Sequence, residues 1–467
     1  MRLDLVSCHA SVTCAAEDML CILQRCETAV SALSAALKPR QALVIALLFA
    51  GYAALYFCRA DLSVATPMLI DEMTAHGMTH AQAVVRMGAI PSLGVFAYAL
   101  GKLFLGGLGD WWGGRMSFLI GLGGATLFTV AFALSGVFPL FTLAWFGNRL
   151  TQSVAWAGLV KVSSKWFDYS SYGLIIGILS LSYLVGDAAA RQWMGALIVH
   201  GATWRTLFYL AAAVTAVCFV ANIILLRESR TQLGFSEARP NPINLFSHSD
   251  SDTRSQSIKQ LLLPLVRSPA FILVCALSLG CTIIRESFNN WTPVYLRDFL
   301  GYSVGDSAGM SAIFPAVGAV SVILAGWLSD RFGPNGRSLL MFVGLAGAAA
   351  ALFFLTGMQR GNGHGLVPLI AIGAVAFFLL GPYSYLGGAM ALDFGGKRAG
   401  ALSSGLIDGV GYLGGITAGD SVARLSVAFG WKGVFVVLGA ISAIAALGAL
   451  QLYRFGTKSI SKQQASE

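Results

Sequence analysis

The sequence predicts an all-α membrane protein with twelve transmembrane helices in two six-helix bundles, and three observations support this. First, 56% of the 467 residues are hydrophobic and only 11% are charged, whereas about 25% of the residues of a soluble globular chain are charged. Second, runs of mostly apolar residues recur at the length of about 20 residues that a bilayer-crossing helix needs. Third, the two sets of six runs share short motifs in the same order.

The apolar runs come as six, a polar connector, and six more. We number them spans 1 to 12 in chain order: 41–66, 87–109, 116–136, 139–160, 172–199, 204–226, 270–297, 306–328, 338–356, 365–391, 400–427 and 431–453. The connector contains FSHSDSDTRSQS, a composition typical of a mobile linker. We therefore expect an N-terminal segment (1–40), a first bundle (41–226), a linker (227–268), a second bundle (269–453) and a tail (454–467).

Each bundle repeats motifs of the other. RADLSVATP at Arg59 recurs as RESFNNWTP at Arg285, both reading R, six residues, then T-P, at an offset of 226. Three further pairs follow at similar offsets: GGLGDWWGGR and GWLSDRFGPNGR, YLVG and YLGG, WRTLF and WKGVF. A parallel repeat of six-span bundles predicts a substrate site near the bilayer midplane, between the halves.

The net charge of +9 does not indicate nucleic-acid binding, because the basic residues gather in alternate short loops. By the positive-inside rule these loops and both termini face the cytoplasm, and we expect a multi-pass protein of the cell (inner) membrane. The basic residues of these loops are Arg115, Lys161, Lys165, Arg227, Arg230, Arg239, Arg254, Lys259, Arg267, Arg331, Arg337, Lys397, Arg398, Arg454, Lys458 and Lys462.

Several classes of chemistry have no motif in this sequence. The eight cysteines show no CxxC and no spacing typical of metal ligands, so we expect neither a disulfide framework nor a metal. Without a nucleotide-binding loop or a nucleophile motif, we expect no cofactor, no enzymatic activity and no use of ATP.

Two further elements carry a resemblance to a known family. The G-x-x-x-D-x-x-G-x-R loop after span 2 and the R-x-x-Q element formed by Arg149 and Gln152 resemble the signatures of the major facilitator superfamily. GYAALYFCRADLSVATP, IIRESFNNWTPVYL and GVGYLGG resemble the organophosphate:phosphate antiporters, the group that contains the glycerol-3-phosphate and hexose-phosphate transporters. The resemblance runs from about Gly51 to Phe435.

The resemblance implies exchange of a phosphorylated metabolite, of the glycerol-3-phosphate, hexose phosphate or phosphoglycerate type, for inorganic phosphate by rocking of the two halves. It places the family's substrate-binding side chains on Arg59, Arg285, Tyr52, Tyr56 and Lys102. Three departures leave the particular substrate open: Ala60 stands where a lysine is common, Tyr183 aligns with a histidine, and Leu380 aligns with a tyrosine.

Arg59 and Arg285 are the central candidates, because an arginine near the bilayer centre costs at least ~2.5 kcal/mol. Each guanidinium can donate two parallel hydrogen bonds to a phosphoryl group, which lysine cannot. Mutual repulsion should keep the halves apart until a bound anion draws them together. The alternative is that each arginine pairs with a neighbouring acid, Asp61 or Glu286, or snorkels to an interface.

Other candidates surround the arginines. Tyr52, Tyr56 and Arg59 share one helical face, so the tyrosines either contact the substrate or serve as packing aromatics. Lys102 either draws anions inward or snorkels to the loop after span 2, and Tyr412 belongs either to the site or to helix packing.

Three of the acids within the predicted spans are further candidates. Asp187 is four residues before Arg191, which predicts a structural ion pair on one helical face. Asp408 has no basic residue near it in span 11. Asp408 or Glu286 therefore either carries a coupled proton or serves as a hydrogen-bonded acid or counterion.

The paired loop motifs predict gating rather than binding. Asp110 with Arg115, and Asp330 with Arg331, stand at helix ends, where a carboxylate can bond the N-terminal amides of a neighbouring helix. We expect them to hold the bundles together on the cytoplasmic side.

Two other functions stay open at this stage. One is proton-coupled symport of an organic anion such as a sugar acid, and the other is a transporter-like sensor of a sugar phosphate. We expect the small-molecule substrate and phosphate as ligands, the lipid bilayer as surroundings, and a monomer.

Overall fold

The computed structural model describes residues 39–105, 112–238, 258–361 and 365–464, and its regular secondary structure there is helical. The predicted N-terminal segment therefore lies almost wholly outside the described residues. In the first half the helices are Pro39–Ala75, His80–Leu105, Gly114–Leu134, Phe138–Gln152, Ala155–Trp166, Tyr169–Val199 and Trp204–Leu225.

Span 4 differs from its prediction, because it is two helices rather than one. The first ends at Gln152 and the second begins at Ala155. Beside the break, the Ser153 hydroxyl donates to the carbonyl of Leu150, three residues earlier, at 2.6 Å, a bond of the kind that competes with the helical hydrogen bonds. The apolar run continues through the break, so hydropathy alone does not reveal it.

In the second half the helices are Ile258–Arg267, Pro269–Val294, Val304–Met310, Ile313–Leu355, Val367–Tyr385 and Ala391–Gln464, with π-helical turns at Tyr295–Phe299 and Leu386–Met390. The polar connector thus ends in a helix, Ile258–Arg267, with Leu265 buried. Ser268 begins span 7 as its N-cap, accepting a hydrogen bond from the amide of Phe271.

The longest helix contains two spans that run in opposite directions. Gly411 packs against Ser278 of span 7, and the carbonyl of Ala418 accepts a hydrogen bond from Trp291 farther along that span. Beyond Gly430, Gly448 packs back against Leu273. The chain reverses at Gly430, whose φ of +67° favours glycine. Gly201, with a φ of +86°, makes the same turn between spans 5 and 6 at an offset of 229.

Nine segments among the described residues are long and apolar enough to cross a membrane. One of these, Ser403–Phe455, contains spans 11 and 12. The broken span 4 and the helix Tyr169–Val199, which is span 5, lie outside those nine. Together these segments accommodate all twelve predicted spans.

The two halves pack together closely at one end. We call the end that carries residues 76–79 and 301–303 the far end, and the end that carries Pro39 and Pro269 the basic end. A Cβ added to Gly195 would lie 2.5 Å from the nitrogen of Gly309, so span 5 touches the backbone of the helix Val304–Met310.

An ionic network also joins the halves at the far end. Arg297 of the second half pairs with Asp71 of the first at 2.6 Å and donates to the carbonyl of Pro67 at 3.2 Å. His80 lies 3.1 Å from Asp298. These contacts close the far end above a central cavity.

Candidate functional site

A cavity lies between the halves. Its walls come from spans 1, 2, 4 and 5 of the first half and from spans 7, 8, 10 and 11 of the second. Four arginines and two carboxylates line it, a formal excess of two positive charges. These six residues are Arg59, Arg149, Arg191, Arg285, Asp187 and Glu286.

Arg59 projects into the cavity from a kink in span 1, where Cys58 leaves helical geometry at φ −80° and ψ 17°. Its Nε donates to the Gln152 side chain at 2.6 Å and its Nη1 to the Tyr56 hydroxyl at 3.0 Å. Among the residues the structure describes, no carboxylate forms an ion pair with it. Asp61, the predicted alternative partner, instead accepts a hydrogen bond from the amide of Leu62. The charge of Arg59 is therefore not neutralised.

Arg149 is a second arginine without a carboxylate partner in the described part of the chain, and it is only 7% exposed. Its guanidinium lies 5.1 Å from the ring centre of Tyr98, and that of Arg59 lies 4.8 Å from the same ring. The two guanidinium groups are therefore at most about 10 Å apart, and both gain cation–π stabilisation from one ring. Sequence reasoning used Arg149 as a family signature and missed it as a cavity residue. Its spacing of three from Gln152, which places both on one helical face, was the available signal.

Arg285 reaches the cavity from span 7 but is paired there. Its Nη2 lies 2.6 Å from a carboxylate oxygen of Glu286, which is 7% exposed. Its guanidinium lies 4.6 Å from the centre of the Tyr383 ring. Its Nε is buried without a hydrogen-bond partner among the described residues. The structure thus shows Arg285 with the neighbouring acid that the sequence offered as the alternative.

The predicted ion pair between Asp187 and Arg191 is present at 2.9 Å and is buried. Arg191 also donates to the Ser311 hydroxyl at 3.1 Å and to the Asn289 carbonyl at 2.8 Å, both in the second half. Ser63 of span 1 donates to the same carbonyl at 2.7 Å. The pair therefore joins the halves on the far-end side of the cavity, a role that its helical spacing did not predict.

Lys102 and Asp408 meet across the halves at 3.4 Å, so the basic partner of Asp408 comes from span 2. Lys102 also lies near the rings of Tyr98 and Tyr412, which are themselves 5.2 Å apart. Neither Lys102 nor Asp408 is among the residues that line the central cavity. They lie on its basic-end side, because span 2 runs from the far end towards the basic end.

The candidate tyrosines separate into two groups. Tyr56, Tyr183 and Tyr412 line the cavity, with the rings of Tyr56 and Tyr183 5.5 Å apart. Tyr52 lies behind Tyr56, at 5.9 Å between ring centres, and its other face meets Trp156 at 5.2 Å.

Two asparagines of the cavity wall were not predicted. Asn289 and Asn290 line the cavity, and the Nδ2 of Asn290 is buried without a partner among the described residues. Asn289 follows Arg285 by four residues, so helical spacing from that arginine was the signal that could have found it.

The predicted gating residues are described only in part: Asp110 and the side chain of Asp330 lie outside the described residues. Arg115 donates to the carbonyl of Ile223 at 2.6 Å, within the first half. Arg331 lies over the Trp327 ring at 5.6 Å, also within its own half. A latch between the halves at these loops stays a prediction.

The carboxylate that binds the first turn of span 3 is Glu228. It accepts hydrogen bonds from the amides of Gly114 at 2.9 Å and Arg115 at 2.7 Å, and Lys165 lies 2.6 Å away. Partial burial alone would raise the pKa of Glu228, but these hydrogen bonds and the lysine charge outweigh it and lower that pKa. A residue of the predicted linker therefore binds the N-terminal amides of span 3.

Among the described residues, no group of three or more His, Cys, Asp or Glu side chains could hold a metal ion. We therefore assign no metal site to them.

Comparisons with known proteins agree with this fold. The sequence profile of the Major Facilitator Superfamily matches residues 48–419. A probable hexose phosphate transport protein of Chlamydia muridarum is 27% identical over 433 residues, which cover 89% of this chain and 91% of the relative. The glycerol-3-phosphate transporter of Bacillus subtilis is 24% identical over 418 residues, covering 87% and 91%. Both relatives are of the kind that the sequence resemblance predicted.

A solved structure supports the architecture. The crystal structure of a bacterial homologue of the human lysosomal transporter Spinster, inward-facing and occupied, aligns with a TM-score of 0.69 at 16% identity, covering 90% of this chain and 98% of that chain. At this identity the likeness shows the fold alone. The relatives and the fold are those of transporters rather than of enzymes, as the sequence predicts.

Proposed function

Since the chain belongs to the Major Facilitator Superfamily, we propose that it exchanges a small phosphorylated metabolite for inorganic phosphate by alternating access. The observation that carries this proposal is the charge of the central cavity, where four arginines face two carboxylates. A phosphate monoester is close to a dianion at neutral pH, with a second pKa of about 6. An excess of two positive charges between the halves matches that ligand.

Donor geometry supports the same ligand class. A guanidinium offers paired donors to phosphoryl oxygens, and Arg59 and Arg285 bring one from each half. The Nε of Arg285 and the Nδ2 of Asn290 are buried donors without partners among the described residues, which a bound anion would satisfy. We assign substrate contact to Arg59, Arg149, Arg285, Tyr56, Tyr183 and Tyr412, which line the cavity.

Tyr52 and Lys102 take supporting positions in this proposal. Tyr52 fixes the ring of Tyr56 from behind, and Lys102 draws anions towards the cavity from the basic end. Passage through that side requires Lys102 to part from Asp408, because their contact joins the two halves.

We place the protein in the cell (inner) membrane as a monomer, with both termini and the basic loops on the cytoplasmic side. The positive-inside rule supports this orientation. The far end, which is closed in this structure, then faces outward.

A liposome assay tests the function. Purified protein in vesicles loaded with labelled phosphate is exposed to external glycerol 3-phosphate, glucose 6-phosphate, 3-phosphoglycerate or gluconate, with and without a pH gradient. We expect label to leave only when an external phosphate compound can enter, independently of the pH gradient. Uptake of gluconate driven by the pH gradient would indicate proton symport instead. Phosphate-dependent stabilisation of the protein without any flux would indicate a sensor.

A further inference from the structure

The four cavity arginines differ in their counterions. Arg191 holds Asp187 and Arg285 holds Glu286, whereas Arg59 and Arg149 have no carboxylate partner in the part of the chain that the structure describes. An entering anion therefore meets positive charge without a counterion on the wall of the first half. To reach Arg285, it must compete with a carboxylate that is already there.

The two existing ion pairs are held differently. Asp187 and Arg191 are four residues apart, a spacing that places both side chains on one helical face. Arg285 and Glu286 are consecutive, and consecutive residues of a helix do not face each other. Their 2.6 Å contact depends on the Glu286 side chain turning towards the guanidinium, so a change of its rotamer is enough to break it.

The surroundings of the pair favour such a change. Arg285 and Glu286 both line the cavity, so an anion that has entered the cavity can contact them. The Nε of Arg285 is buried and has no partner among the described residues. A phosphoryl group could satisfy this nitrogen and Nη2 together, through the two parallel hydrogen bonds that arginine offers.

We propose that Glu286 is an internal counter-anion, which neutralises Arg285 while the carrier is empty and is displaced when the substrate's phosphoryl group binds. This inference rests on the proposed function and concerns the affinity of the same site. A buried arginine without a partner is costly, and Glu286 removes that cost in the empty state. Displacing it subtracts from phosphate binding, so the site releases its ligand readily.

The same competition gives selectivity. A phosphoryl dianion can replace the single charge of Glu286 on Arg285 and still interact with Arg59. A monocarboxylate brings no more charge than Glu286 itself, and therefore gains nothing by displacing it.

Two substitutions separate displacement from a simple effect of charge. Phosphate affinity is measured by calorimetric titration of the purified full chain at fixed pH and salt. Glu286→Gln removes the competitor, and we expect phosphate to bind about tenfold more tightly, as loss of one charged hydrogen bond predicts. Glu286→Asp keeps the charge but shortens the side chain by one methylene, and we expect a gain in the same direction of about threefold.

A matched control and a kinetic readout complete the test. Asp420 pairs with Arg424 on its own helix at 2.7 Å, outside the cavity, so Asp420→Asn should leave phosphate affinity at the wild-type value. In the liposome assay, Glu286→Gln should lower both the half-saturating phosphate concentration and the maximal exchange rate, because nothing then helps to expel the ligand. The preference of the Glu286→Gln protein for phosphate over gluconate should also be smaller than that of the wild-type protein.

Three results would overturn the inference. Weaker phosphate binding by Glu286→Gln would show that the acid supports the site rather than competes with the ligand. Unchanged phosphate binding by Glu286→Gln would show that the ion pair between Arg285 and Glu286 stays intact when phosphate binds. Tighter binding by Glu286→Gln with unchanged binding by Glu286→Asp would show that the carboxylate acts only through its charge. If wild-type protein binds and exchanges no phosphate, it is the proposed function that fails.

Discussion

The two halves carry the same motif but treat its arginine differently. In RADLSVATP the residue after Arg59 is an alanine, and the guanidinium is held by the neutral side chains of Gln152 and Tyr56. In RESFNNWTP the next residue is Glu286, which neutralises Arg285. The arginine therefore has the same position in both copies of the motif. Whether its charge is available to a ligand depends on the side chains that contact it in each half. The first half supplies the positive charge without a counterion, and the second half supplies an arginine that must be released.

The largest effect that we expect concerns the contact between the halves. Arg191→Gln leaves Asp187 buried without its partner and removes the bonds to Ser311 and Asn289, so it should destabilise the protein by about 3–5 kcal/mol. The drop is measured as a lower thermal unfolding midpoint in detergent. The double variant Asp187→Asn with Arg191→Gln should recover part of the loss, because no buried carboxylate remains. A single variant as stable as wild type would contradict this function of the pair.

The next effect tests the arginine of each half directly. Arg59→Lys and Arg285→Lys should each lower phosphate exchange at least about 100-fold, because lysine cannot donate the paired hydrogen bonds of a guanidinium. The protein should remain in the membrane at the normal level, as checked by immunoblot. Arg86→Lys, which changes an exposed arginine of the helix His80–Leu105 outside the cavity, is the matched control. Normal exchange by either cavity variant would refute its role.

Substitution of Arg149 tests whether the first half supplies positive charge that no carboxylate neutralises. Arg149→Gln should weaken phosphate binding about tenfold, the loss expected for one charged hydrogen bond. Calorimetric titration measures this, with Arg86→Gln as the control for loss of one positive charge outside the cavity. Unchanged affinity would mean that Arg149 only packs against Tyr98, and the asymmetry between the halves would then rest on Arg59 alone.

The smallest effect concerns the pair that joins the halves towards the basic end. The side chains of Lys102 and Asp408 are 30% and 35% exposed, and pairs of this kind contribute about 0–1 kcal/mol. Asp408→Asn should therefore shift the unfolding midpoint far less than Arg191→Gln does, and the shift should shrink further in high salt. A loss as large as that of Arg191→Gln would show that both sides of the cavity hold the halves equally firmly.

Much of the architecture followed from hydropathy and repetition. Apolar runs located the spans, and the repeated motifs indicated two bundles of six. The matching turns at Gly201 and Gly430 became visible only in the structure. The break after Gln152 could not be read from hydropathy, because the run of apolar residues continues through it.

The site was predictable where it depends on helical spacing and not where it depends on distant contacts. Spacing predicted the bond between Asp187 and Arg191, and the repeat brought Arg59 and Arg285 to one cavity. The partner of Asp408 lies 306 residues away in the other half, which no local pattern indicates. The sequence left open whether Arg285 pairs with Glu286, because the side chains of consecutive residues meet only in particular rotamers.

The central claim is that one anion is held between the halves by an arginine from each. A cryo-electron microscopy map of the full chain with saturating phosphate tests it most directly. The account predicts density for the anion within hydrogen-bonding distance of both Arg59 and Arg285, with Glu286 turned away. A map with saturating phosphate in which Arg285 still holds Glu286 and the cavity contains no anion would contradict it.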